Sequence, residues 1–138
     1  MLVAMLALQS AFACGPYGAF ASSDDGAWAY ENGNVISVYS ADGERHDLPI
    51  YGQVTDIDFV GEELVVAYEV KNQGLAILFD ESGEEVAEWS PREQGQYIDS
   101  IVVLPKGLMV LMSRDGYRSR ARLTDDLRLM GRPSMGGR

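Results

Sequence analysis

Apolar residues come in short bursts along this chain, each closed by a polar group that usually contains glycine. Residues 64–68 (LVVAY), 75–79 (LAILF) and 108–112 (LMVLM) are the clearest bursts. None sustains the 3.6-residue period of a helix, and their β-branched and aromatic content suits strands. The breaks between them are turn sequences: Asp25-Gly26, Asn32-Gly33, Asp42-Gly43, Gly61-Glu62, residues 72–74, Ser82-Gly83 and Asp115-Gly116. Asn-Gly and Asp-Gly favour two-residue hairpins, whose central residues take positive φ. The pattern predicts an all-β chain of about eleven strands in antiparallel four-stranded meanders.

The bursts and turns repeat. Pro49, Pro91 and Pro133 stand 42 residues apart, and the turns between them fall at matching places. Three units follow, over 19–53, 54–96 and 97–138, in a single domain from 14 to 138. Four strands in about 40 residues is the spacing of propeller blades, and the units resemble blades of β-propeller repeat proteins. Phe79-Asp80-Glu81-Ser82-Gly83 followed by Trp89 resembles the strand–turn–strand core of the quinoprotein repeat. The other two units lack that tryptophan, so no quinone and no other cofactor is expected. Closed propellers hold about four to eight blades, so the resemblance implies an incomplete or open propeller.

The units differ in how their faces can be buried. The central one is apolar on both sides and needs a neighbour on each. In the third, alternation along residues 117–123 puts Arg118, Arg120 and Arg122 on one face. Three adjacent arginines cannot be buried unpaired, so that face is expected to lack a further sheet and to meet an anionic partner or solvent. The first unit offers Trp28, Tyr30, Val35, Val38 and Tyr39 with little charge. Leaving ~400 Å² of apolar face in water forfeits ~10 kcal/mol at ~25 cal/mol/Å². The stretch Gly15–Ala21, a protein partner, a second copy, or blades absent from this chain is therefore expected to cover it.

Charge narrows the partners. The net charge is −10, which argues against nucleic acid, since phosphate contacts need clustered Lys and Arg. It is unevenly spread: residues 1–99 hold 18 acids and 3 bases, residues 100–138 hold 3 acids and 8 bases.

Residues 1–13 (MLVAMLALQSAFA) are charge-free and end in Ala-Phe-Ala, a small-x-small site that reads as a signal peptide. The single cysteine, Cys14, follows the cut, and the junction resembles the lipobox of bacterial lipoproteins. That resemblance implies lipidation at Cys14, a lipid anchor rather than a spanning helix, and a periplasmic, outer-membrane or extracellular location. A soluble exported form stands beside the anchored one. No run reaches the ~20 apolar residues of a transmembrane helix.

Catalytic chemistry has little to stand on. His46, between Arg45 and Asp47, is the only histidine; without a nucleophile elbow or a second histidine it reads as a surface residue of an outer strand. Asp56 and Asp58 share a face of an innermost strand. They read as a solvated strand face, with Ca²⁺ binding the alternative, and no metal is expected. The expected function is a non-catalytic, exported interaction or structural module. The alternative is part of a larger propeller enzyme or sensor whose other blades lie outside this chain.

Overall fold

Within each sheet, hairpin turns of two to five residues pair each strand with the one before it. The computed structural model describes residues 18–134, with side chains to 131; the export segment and Cys14 lie outside the described residues. Among the described residues twelve strands form, one more than the sequence pattern predicts, in three separate four-stranded antiparallel sheets. The first sheet holds β1 (Phe20–Ser22), β2 (Trp28–Asn32), β3 (Val35–Tyr39) and β4 (Arg45–Pro49). The second holds β5 (Gln53–Val60), β6 (Glu63–Val70), β7 (Gln73–Phe79) and β8 (Glu85–Trp89). The third holds β9 (Tyr97–Val103), β10 (Leu108–Arg114), β11 (Tyr117–Leu123) and β12 (Leu129–Ser134). Each is a meander in chain order.

One turn recurs between the third and fourth strands of every sheet. Ser40, Asp80 and Thr124 each accept, on a side-chain oxygen, the N–H four residues on, from Glu44, Glu84 and Arg128. The reciprocal backbone bonds repeat as well. The left-handed position of this turn is Gly43, then Gly83, then Leu127 with φ of 63°. Leucine is strained there, yet Leu127 is 3% exposed and belongs to the core.

The β6–β7 turn corrects the sequence reading. It is formed by Lys71 and Asn72, both at positive φ, not by residues 72–74. Gly74 lies inside β7, where the third sheet passes close. Its N–H donates to the Gln96 carbonyl at 2.8 Å, and a Cβ built on it stands 2.8 Å from the Ile98 nitrogen.

The middle sheet is buried on both faces. Leu64, Val66, Tyr68, Ile77 and Phe79 face the first sheet and pack with Ala29, Ile36 and Leu48. Val65, Ala67, Ala76 and Leu78 face the third and pack with Ile98, Leu108, Val110 and Leu123. The pleat thus divides one strand between two cores. Val38 points into the first core and is 7% exposed, so of the residues expected on the uncovered flank it is the one that turns inward.

Among the described residues the sheets come closest at their first strands: β5 runs beside β1, and β9 beside β5. Both β5 and β9 bulge at equivalent places. Thr55 drops out of register between Val54 and Asp56, and Asp99 between Ile98 and Ser100. An extra residue reverses which side chain faces where. It lets Val54 and Ile57 enter one core together, and Ile98 and Ile101 the other. No helix long and apolar enough to cross a membrane occurs among the described residues.

Candidate functional site

Two outward faces and one inner seam hold the residues with chemistry to offer. On the third sheet, β11 pairs with β10 so that Arg118, Arg120 and Arg122 lie opposite Ser113, Leu111 and Met109. Their neighbours Ala121 and Leu123 point into the core, at 1% and 0% exposure, so the arginines point away from it and are exposed. No ion pair joins any of the three to another described residue. Arg114, one turn earlier, is held by Glu93. Exposed Val102 and Met130 and half-buried Met109 and Leu111 share the arginine face, so it is a cationic row between apolar rows.

The outward face of the first sheet is aromatic. Alternation in β2 sends Ala29 inward, completely buried, and Trp28 and Tyr30 outward. Trp28 is cross-strand from Tyr39, and the rings stack nearly parallel at 4.3 Å with an 7° interplanar angle. Tyr30 and Phe20 extend the row. Trp28 is half-buried rather than fully solvated. Beside the rings runs a polar chain: Asn32 donates to Ser37 Oγ, Ser37 donates to Asp47, and the Arg45 fork meets both Asp47 oxygens at 3.0 and 3.2 Å. This fork holds the Asp47 carboxyl below the ordinary carboxylate range. Arg45 also lies 6.0 Å above the Tyr39 ring. Ser37, fully buried on this face, is acceptable there because its hydroxyl is bonded on both sides.

The seam lies between the first strands. Asp56 and Asp58 share a face of β5, as expected, but they are half-buried rather than solvated. Asp56 Oδ2 accepts the Ile101 N–H of the next sheet at 2.7 Å, and Oδ1 accepts its neighbour's N–H, from Ile57, at 2.9 Å. The carboxylate therefore links two sheets. Nothing local in the sequence marks this role, since Ile101 lies 45 residues away. Thr55 Oγ1 nearby is buried with no hydrogen-bond partner among the described residues. The seam opens at one end into a cleft of ≈ 430 Å³ that includes Asp24, Asp25, Asp58 and Glu62. Among the described residues, no three of His, Cys, Asp and Glu converge as a metal site would require.

Burial raises the Asp56 carboxyl above its ordinary 3.8, against the pull of its two N–H donors; burial raises Asp58 likewise. A carboxyl that is harder to ionise when folded takes up a proton on folding in the window from 3.8 to its raised value. Its contribution is fully present below that window and is lost as pH rises through it. Asp56→Asn is therefore expected to hold its stability better than wild type as pH rises through the window. The difference in slope stays under the ~1.4 kcal/mol per pH unit set by one proton. Urea midpoints of the two proteins from pH ~4 to ~7 read this directly; parallel profiles would refute it.

His46 is on the outer strand β4, as expected, but faces inward. It is half-buried, and a Cβ on Gly83 of the second sheet would come 3.1 Å from its ring. It helps seat one sheet on the next, against the β7–β8 turn.

No protein-family model matches the chain, and no curated protein does. Among solved structures, the described fold is similar to a Bacteroides caccae protein of unknown function, with a TM-score of 0.52 at 10% identity. The likeness covers 83% of this chain and 44% of that one, so this chain spans less than half the length of the structure it resembles. At that identity the likeness concerns the fold alone.

Proposed function

We propose that this chain is an exported cell-envelope protein whose propeller-like sheets act as a non-catalytic interaction or structural module. The observation that carries the reading is the burial pattern. The middle sheet is covered on both faces, while the array ends in an aromatic face and an arginine face. Chemistry that would recognise another surface therefore sits on the outside. The approach of β1, β5 and β9 along one side supports reading the sheets as blades that fan from a common axis.

Export and anchoring rest on residues 1–13 and Cys14. Grown with labelled palmitate in a bacterial host, the full chain is expected to enter the envelope fraction and carry the label. Cys14→Ser is expected to lose the label entirely while the sheets still fold. Unlabelled protein in the soluble periplasm would leave the soluble exported form; retention in the cytoplasm would overturn export.

A second reading has one observation behind it. The solved structure with the similar fold is more than twice as long as the part matched. In that reading these three sheets are a portion of a larger propeller, an enzyme or a ligand-binding sensor, and the outward faces pack against further blades.

A further inference from the structure

We infer that the two outward faces fit each other, so that two copies of this chain join head to tail and close as a pair. The inference rests on reading the sheets as an open fan, and names the partner that such a fan takes. Four observations carry it.

The arginine row is unmatched among the described residues: Arg118, Arg120 and Arg122 have no ion pair there. Planar guanidinium groups stack on aromatic faces, and the first sheet already takes one in this way, Arg45 above Tyr39 at 6.0 Å. The two end segments carry opposite charge. Residues 18–53 carry 6 acids and 1 arginine, for −5, and residues 97–138 carry 4 acids and 8 bases, for +4; on the aromatic face itself Arg45 and Asp47 pair with each other, and Asp24, Asp25, Asp42 and Glu44 lie in the turns at one end of the sheet. Finally, pairing the arginine face with its own kind would bring six guanidinium groups together, offset at that face by Asp99, which accepts from Ser113 opposite Arg118, and like charges so placed repel. A symmetric face-to-face dimer through the third sheet is disfavoured on that ground, and stacking of the arginines favours the aromatic face of another copy.

Area decides between one junction and two. Four strands ~4.8 Å apart and about six residues long, at ~3.3 Å per residue, present ~400 Å². One junction would bury ~800 Å² in total, which is below the ~1,200–2,000 Å² of stable complexes, whereas two junctions bury ~1,600 Å². A heterologous contact either closes or grows without limit. Closure as a pair satisfies both faces of both copies.

The experiment is the solution mass of residues 14–138 carrying Cys14→Ser, at ~10–100 μM, where a standard-size interface is populated. The mass expected is twice that of one copy. Trp28→Glu and the triple variant Arg118→Glu, Arg120→Glu, Arg122→Glu are each expected to run as single copies. Circular dichroism and urea midpoints show that they remain folded. Mixed together, the two variants can make only one undamaged junction of ~800 Å², beside one in which Glu meets Glu, and are expected to stay single copies. A single-copy wild type overturns the inference. So does a triple variant that still dimerises, a mixture that pairs, or growth into long assemblies. The readout does not involve export or lipidation, so it fails or succeeds separately from the cell-envelope reading.

Discussion

Tyr68→Ala is expected to cost about 3–5 kcal/mol, the range for emptying a buried aromatic site. Tyr68 is completely buried on β6 and is the largest such side chain in the fold. Its ring fills the core between the first and second sheets, and Tyr51 packs on it edge-on at 5.7 Å. Its hydroxyl donates to the Pro49 carbonyl at 3.0 Å, tying the end of β4 to β6. Burial pushes the hydroxyl well above its ordinary pKa, so it stays a donor across the working pH range. Tyr68→Phe keeps the ring and loses only the bond, and is expected to cost about 1–3 kcal/mol. Urea unfolding with an unchanged m-value measures both. A Tyr68→Ala loss under ~1.5 kcal/mol would mean that the two sheets do not share this core in solution.

Gly74→Ala is expected to cost about 3 kcal/mol or somewhat more, at the upper end for overpacking, although it adds one methyl group. The methyl would stand 2.8 Å from the Ile98 nitrogen and 3.1 Å from the Gln96 oxygen. Both are backbone atoms, so no side chain can swing aside. Relief requires the third sheet to withdraw, which stretches the Gly74–Gln96 bond and opens the core around Ile98, Ala67 and Ala76. Gly33→Ala is the contrast, since a Cβ there meets nothing within 4 Å. It retains only the left-handed cost of about 1–2 kcal/mol. Hydrogen exchange separates the cases: Gly74→Ala should speed exchange across β9 to β12, and Gly33→Ala only around its own hairpin. Equal, local effects would refute the close-approach account.

The strands and their grouping were legible in the sequence because short apolar bursts and Gly-containing turns are local signals. The outward direction of Arg118, Arg120 and Arg122 was legible for the same reason, by alternation within one strand. The inward turn of Val38 was missed because both faces of β3 carry apolar residues, so alternation alone does not say which is core. The Lys71–Asn72 turn was missed because Gly74 looked like a turn glycine, whereas its need is to admit Ile98, a neighbour far along the chain. The link from Asp56 to Ile101 was invisible for a similar reason. It depends on bulges at Thr55 and Asp99, and a bulge shows only once the partner strand is known.

Each sheet touches only the sheets next to it in sequence, and among the described residues the first and third do not meet. Among the described residues, any influence passing from one end to the other must cross the middle sheet, along β1, β5 and β9 or through the thickness of β6 and β7. There, Leu64, Val66 and Tyr68 belong to one core and Val65 and Ala67 to the other. Among the described residues the middle sheet is thus the mechanical coupling between the ends. Occupancy of the aromatic end would reach the arginine end as a small change in how tightly its strands are held, not as a moving part.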